Sequence, residues 1–396
     1  MNPDLNKLQP YPFEKLNKLL GQVIPNPELR PISLSIGEPK HSAPQIVLDA
    51  LHKEIQKVSI YPSTKGLPEL RQTISNWACK HFGLSCLDSE NEVLPVNGTR
   101  EALFAFTQTV IDRTNDPLVV SPNPFYQIYE GASYLAGADL HLLPTLESTN
   151  FIPDYDAVSE DIWKRCQILF ICSPGNPTGA VTPLETLKKL IGLADKYDFV
   201  IASDECYSEI YCEESNTPVG LLQACAELNR TDYARCVVFH SLSKRSNLPG
   251  LRSGFVAGDA NIMASFLNYR TYHGSAMSVQ NQLASIAAWN DEAHVLENRV
   301  VYRNKFKAVL EILQPVMNIQ QTDASFYLWP ETPISEELFT QSLYEQEHVS
   351  VLPGSYLSRT INDLNPGKNR IRMALVASEA DCIEAAQRIK RFISRL

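Results

Sequence analysis

Lys244 sits in SLSKRSNLPGLRSG (241–254), directly after the apolar run RCVVF (235–239), among small and hydroxyl-bearing neighbours. A primary amine on stiff backbone, flanked by residues small enough to admit a flat cofactor, can attack an aldehyde, so Lys244 reads as a Schiff-base lysine. Arg252, eight positions on, offers a cation for a phosphate. Taken alone, the same stretch also fits a surface lysine with Ser241 and Ser243 as turn residues. The companions of Lys244 therefore carry the case.

A pyridoxal phosphate site needs a carboxylate facing the pyridine nitrogen, because the protonated ring accepts electrons from the substrate's Cα. Asp204, at the end of FVIAS, is placed for that role, and Tyr207, three residues later, can hydrogen-bond the ring's phenolic oxygen. Asn176 in SPGNPTG is a second partner for that oxygen. In isolation Asp204 equally reads as an N-cap for ECYSEI, and Asn176 as a tight-turn residue. The phosphate needs donors, and NGTREALF (97–104) supplies a glycine, a threonine and a helix start after EVLPV. Gly98, Thr99 and the Arg100 amide are the candidates, since free amides at a helix N-terminus attract anions. Tyr126 in NPFYQIY can stack on the ring or belong to the core.

The elements that must position these residues are legible as punctuation. DPLVVSPNP (116–124), QILFICSPGNPTG (167–179), FVIASDE (199–205), RCVVFHSLSK (235–244) and SGFVAG (253–258) are nearly continuous apolar runs with polar residues at their ends. Such runs read as buried, mainly parallel strands of an α/β sheet, which gathers ligands at the strands' carboxyl ends. From about residue 290 the texture changes to a long charged helical stretch, DEAHVLENRVVYRNKFKAVLEILQ, then the strand-like FYLWP and NRIRMAL and a terminal helix. The N-terminal 44 residues hold one helical segment, PFEKLNKLLGQ, too little for a separate fold, so they are expected to pack on the C-terminal part. The terminal RIKRFISRL reads as cations complementing a helix dipole rather than as a binding arm.

At 396 residues the chain is long enough for two cores, and 20% charged residues with 44% apolar ones is ordinary globular composition. The net charge of −10 argues against a nucleic-acid partner. No apolar run approaches a membrane span, and MNPDLNKLQPYPFEKL lacks a secretory signal's pattern, so a cytoplasmic protein is expected. Nine cysteines without CxxC and eight histidines without HExxH give neither a disulfide framework nor a metal site. The absence of GxGxxG and GxSxG removes the commonest nicotinamide and hydrolase readings.

YPSTKG (61–66), NGTREAL, SPGNPTG, SDECY (203–207), SLSKRSNLPGLRSG and NRIRMAL (369–375) resemble, in order and over nearly the whole chain, the class I/II aminotransferases of pyridoxal-phosphate fold type I. The resemblance implies an α/β fold whose large domain, residues 45–290, holds a mainly parallel seven-stranded sheet flanked by helices. Residues 1–44 and 291–396 would then form a smaller, discontinuous α+β domain. It implies that Lys244 carries the Schiff base, that Asp204 faces the ring nitrogen, and that Asn176 and Tyr207 contact the phenolic oxygen. Gly98, Thr99, Arg100, Ser241 and Arg252 would hold the phosphate, with Tyr126 on the ring. Arg372 would grip the substrate α-carboxylate with a bidentate fork, together with Asn176 and the Gly37 backbone. Tyr61 matches a tyrosine that reaches the phosphate of the neighbouring subunit, implying a homodimer. Ser253 departs from the usual aliphatic residue or alanine but is small.

SKRSNLPGLRSGF, YRTYHGSAMS (269–278) and VLPGSYLS together look most like the bacterial succinyldiaminopimelate aminotransferases of lysine biosynthesis. That likeness implies amino transfer between N-succinyl-L,L-2,6-diaminopimelate and 2-oxoglutarate. Each substrate carries a second anionic group, for which Arg100, Arg245 and Arg270 are candidates by proximity to motifs. The alternatives are an aspartate-type or aromatic aminotransferase, a carbon–sulfur lyase on the same scaffold, and a non-enzymatic regulator. The last would need a DNA-binding segment, for which the portion before the family motifs is too short.

Overall fold

In the computed structural model, which describes residues 1–396, twelve strands lie in three sheets. In chain order they are β1 (Ile32–Ser33), β2 (Val93–Val96), β3 (Leu118–Asn123), β4 (Asp139–Pro144), β5 (Cys166–Cys172), β6 (Val200–Asp204), β7 (Cys236–Ser241), β8 (Gly254–Gly258), β9 (Tyr327–Leu328), β10 (Val349–Ser350), β11 (Leu352–Pro353) and β12 (Ile371–Ala374). The seven-stranded sheet runs β2-β8-β7-β6-β5-β3-β4. Strands β4, β3, β5, β6 and β7 are mutually parallel, while β8 is antiparallel to both β7 and β2. All residues of β3, β7 and β8 are buried, which is why their sequences read as unbroken apolar runs.

Two departures from the sequence reading have physical causes. SGFVAG was expected among parallel strands, yet it reverses. Between β7 and β8 lie twelve residues with only the four-residue helix Leu242–Arg245 and a single 3-10 turn, Pro249–Leu251, too little for the crossover that a parallel return needs. Strand β4, DLHLLP, was not singled out, because as an edge strand it mixes charge and histidine among its apolar residues.

Helices cover both faces of the sheet. One face packs Ile201, Val238 and Phe255 against Trp77 and Phe82 of the helix Pro68–Phe82. The other packs Ala202, Val237 and Phe239 against Phe106 of the helix Thr99–Val110. A separate core joins Ile32 and Leu34 to Phe306, Leu328, Met373 and Ile389. Ile32 pairs with Val349 across β1 and β10, so the N-terminal segment is stitched to the C-terminal part of the chain. The terminal cations have a more specific role than complementing a dipole: Arg391 and Arg395 converge on Glu347, whose side chain is only 1% exposed. No helix is long and apolar enough to cross a membrane.

Candidate active site

A cavity of about 560 Å³ opens at the carboxyl ends of β5, β6 and β7. Strand β6 delivers Asp204 as its last residue; turns, not a helix, follow, so the N-cap reading of Asp204 does not hold. Its carboxylate is buried, accepts the Tyr129 hydroxyl at 2.8 Å and the Cys206 amide at 3.3 Å, and is pushed up in pKa by burial. Strand β7 ends at Ser241, whose hydroxyl caps the short helix by accepting the Ser243 amide at 3.1 Å. Lys244 therefore stands one turn beyond the strand. Part of its stem lines the open cavity, but its amine is deep enough that desolvation lowers the pKa to about 8, helped by the Arg372 charge. That amine donates to the Gly37 carbonyl.

At one end of the cavity the helix Thr99–Val110 points its first turn inward. Its cap, Gly98, has φ +85°, and a Cβ there would lie 2.3 Å from Arg252 Nη2, so only glycine lets the guanidinium approach. Arg252 donates to the carbonyls of Pro249 at 3.0 Å and Asn97 at 3.2 Å. Thr99, Ser241, Ser243 and Arg252 thus form an anion-seeking end. At the opposite side Arg372, on β12, donates through Nη1 to Asn176 Oδ1 at 2.9 Å and through Nη2 to the Ser35 carbonyl at 2.8 Å. Its Nε is buried and has no partner. With its oxygen taken by Arg372, Asn176 has its amide nitrogen to offer a ligand.

Eleven of the thirteen residues singled out in the sequence line this cavity: Gly37, Thr99, Arg100, Tyr126, Asn176, Asp204, Tyr207, Ser241, Lys244, Arg252 and Arg372. Gly98 sits behind Thr99 against Arg252, and Tyr61 lies outside its own chain's cavity, fully exposed. Of the three arginines considered for a distal anion, only Arg100 lines it. Arg245 is buried between Trp77 and Trp289 and paired with Glu292; Arg270 is buried, its Nη1 donating to both carboxylate oxygens of Glu101. Their partners neutralise them where they are, so proximity to a motif misled. Arg100 itself donates to the hydroxyls of Tyr126 at 2.7 Å and Tyr11 at 3.1 Å.

Sequence reasoning missed Tyr129 and Tyr327. Tyr129 lies three residues after Tyr126, a spacing that could have flagged it as a second aromatic on one helix face. Tyr327 shares a 2.9 Å hydrogen bond with the Tyr207 hydroxyl, lies 4.5 Å under the Arg372 guanidinium, and would meet a Cβ at Gly37 at 2.1 Å. Nothing local in FYLWP announces this.

The arrangement suits a flat aldehyde bearing a phosphate and a basic ring nitrogen. A weakly basic amine shares the cavity with an anion-seeking end, a buried carboxylate and the Arg372 guanidinium, whose planar fork suits a further carboxylate. Residues 30–389 match the profile of the family described as aminotransferase class I and II. The chain is 31% identical to the LL-diaminopimelate aminotransferase of Maridesulfovibrio salexigens, over 98% of this chain and 97% of that one. It is 48% identical to a crystal structure of an aminotransferase from Neisseria meningitidis, with a TM-score of 0.95 and 99% and 100% of the two chains covered. Aminotransferase AspB from Helicobacter pylori is 34% identical, with a TM-score of 0.91 over 98% of this chain and 100% of its own. The chain belongs to the class I and II aminotransferases, enzymes of the α/β fold type I that depend on pyridoxal phosphate.

Proposed function

We propose that the protein is a cytoplasmic homodimeric aminotransferase that moves an amino group between N-succinyl-L,L-2,6-diaminopimelate and 2-oxoglutarate. In this reading residues 45–290 form the cofactor domain, residues 1–44 with 291–396 form the smaller one, and Tyr61 reaches the partner's phosphate. The observation that carries it is that two guanidinium groups besides Arg252 line one cavity, Arg372 beside Asn176 and Arg100 between two tyrosines. Two separated cations suit a substrate anionic at both ends, as the succinylated amino acid, glutamate and 2-oxoglutarate all are. Nine unpaired cysteines agree with a reducing compartment.

Bound pyridoxal phosphate supplies an electron sink for the charge left when a proton departs the substrate's Cα. The Asp204 carboxylate, held by Tyr129 and the Cys206 amide, would pair with the ring nitrogen and favour its protonated form. Asn176 and Tyr207 would hydrogen-bond the phenolic oxygen, Thr99, Ser241 and Arg252, with the amides after Gly98, would hold the phosphate, and Tyr126 would pack on the ring. Lys244 Nζ would take the Cα proton, a task its lowered basicity suits. Arg372, Asn176 and the Gly37 backbone orient the α-carboxylate so that this proton faces the amine.

A second reading, unsuccinylated LL-diaminopimelate as donor, is favoured by the name of the Maridesulfovibrio relative. The two donors differ at the distal end. Succinylation replaces an ammonium by a neutral amide and adds a carboxylate, which Arg100 attracts. The test is to mix the pyridoxal form separately with succinyldiaminopimelate, LL-diaminopimelate, glutamate, aspartate and cystathionine, following conversion to the pyridoxamine form. Conversion by succinyldiaminopimelate and glutamate is expected. Conversion by LL-diaminopimelate instead would move the assignment to the second reading, and pyruvate from cystathionine would make the protein a lyase.

A further inference from the structure

Behind Lys244 lies a line of polar side chains that the reaction as described does not use. The helix Ala293–Leu313 places Asn298, Tyr302 and Lys305 on one face by their spacing of four and three. Asn298 and Lys305 are 4% and 1% exposed, and both reach toward His41, four residues after Gly37 in the segment that covers the cavity. Lys305 Nζ lies 2.6 Å from His41 Nε2 and donates to the Leu375 carbonyl at 3.2 Å, just past the strand that carries Arg372. His41 Nδ1 lies 2.9 Å from Asn298 Oδ1. Asn298 Nδ2 in turn faces the carbonyls of Lys244 and Arg245, each at 3.4 Å.

Hydrogen-bond directions along this line are fixed by the chemistry of its ends. Asn298 directs its nitrogen at two carbonyls and accepts Asn247 Nδ2 at 3.1 Å on its oxygen, so that oxygen can only accept from His41, and Nδ1 must carry a hydrogen. An ammonium on Lys305 can only donate, so Nε2 must be bare. His41 is then neutral, in the Nδ1–H form. We infer that His41 is a positioning residue that, braced between Lys305 and Asn298, holds the Gly37 segment in register with the Lys244 turn only while its Nε2 is unprotonated. The inference rests on the proposed role of Gly37 and Arg372 in seating the substrate α-carboxylate.

Protonation of Nε2 would set a second cation 2.6 Å from the Lys305 ammonium, and the strut would open. The groups around it offer little relief. The Tyr302 ring packs on His41 with centroids 4.8 Å apart and on Lys305 at 5.1 Å. Burial lowers the Lys305 pKa to about 8, so the amine is mostly an ammonium at pH 7 and wholly one in acid, with only Cys382 and the more exposed Glu379 of the helix Glu379–Ile393 favouring its charge. Burial and the Lys305 charge both lower the His41 pKa below its usual 6.5. The strut is therefore intact at neutral pH and lost in acid, and the loss falls on carboxylate seating, so it raises KM rather than lowering kcat.

His41→Gln separates this from a purely structural role, because glutamine can present an oxygen to Lys305 without titrating. In the holoenzyme's reaction with glutamate, wild-type KM is expected to rise about tenfold between pH 7 and pH 5, with kcat changed much less. His41→Gln is expected to keep the neutral-pH KM within about threefold and flatten that acid rise, and His41→Ala to raise KM at every pH. An acid rise unchanged in His41→Gln overturns the inference. Independently of any substrate, nitrogen-15 NMR of histidine-labelled wild-type holoenzyme at pH 7.5 is expected to show His41 as the Nδ1–H tautomer. The Nε2–H tautomer would overturn it. Failure of glutamate to react at any pH would sink the proposed function while leaving the tautomer measurement to decide the strut.

Discussion

Burial acts on Lys244 and Asp204 in the same sense: each is driven toward its uncharged form, the lysine by a fall in pKa and the aspartate by a rise. With its pKa lowered to about 8, roughly a quarter of the Lys244 amine is neutral at pH 7.5, against about one part in a thousand for an ordinary lysine. The rate at which cofactor-free protein captures pyridoxal phosphate should therefore climb with pH and level off above about 8, measured by stopped-flow absorbance. A climb continuing toward pH 10 would mean that the amine is not desolvated. Lys244→Ala should remain folded and lose both the yellow absorbance and all transfer. Asp204 behaves differently. Its folded pKa lies above the unfolded value, so the folded state holds the extra proton, and stability falls as pH rises through that interval and stays lower above it. Asp204→Asn should thus stabilise the cofactor-free protein at pH 7 by roughly 1–3 kcal/mol while destroying activity. Denaturant titration with and without cofactor checks this, since in wild type the bound ring nitrogen should recover the penalty.

Among the elements, those that end in the site were the most legible, because their turn chemistry is local. SPGNPTG, SDECY and SLSKRSN each put a polar residue at the end of a buried strand, and Asn176, Asp204 and Lys244 meet there. What could not be read was pairing over distance. Arg270 finds Glu101 and Arg245 finds Glu292 through the packing of separate helices, and no spacing rule connects them. Tyr129 and Tyr327 were missed for the same reason: the first touches Asp204 across two elements, the second reaches Tyr207 from another sheet. The start of the helix Thr99–Val110 combines both kinds of information. Gly98, at φ +85° and ψ 155°, occupies a region that an alanine enters only at about 1–3 kcal/mol, and its missing side chain is where Arg252 lies. Gly98→Ala should weaken pyridoxal phosphate binding at least tenfold by absorbance titration, with little change in secondary structure by circular dichroism. Unchanged affinity would remove this turn from the phosphate site.

For the molecule as a whole, Tyr61 is fully exposed, with Val58 64% exposed beside it and Ile55 and Ile60 about half exposed. If Tyr61 completes the neighbour's site, two inactive variants should rescue each other. Mixing Lys244→Ala with Tyr61→Ala and reassembling the subunits would give heterodimers in half the cases, each with one intact site, and so about a quarter of wild-type activity. No recovery after verified subunit exchange would count against a shared site. The reversal of β8 has a different reach. Because β8 runs back alongside β7, with Ser241 opposite Gly254, Lys244 and Arg252 hang from a single turn beside the cavity. That turn works as a ruler eight residues long: one inserted residue would pull Arg252 out of step with Gly98 while Lys244 stayed put. Length variation among related chains should accordingly fall on the outer connections, such as residues 145–165, and spare the interval from 244 to 252.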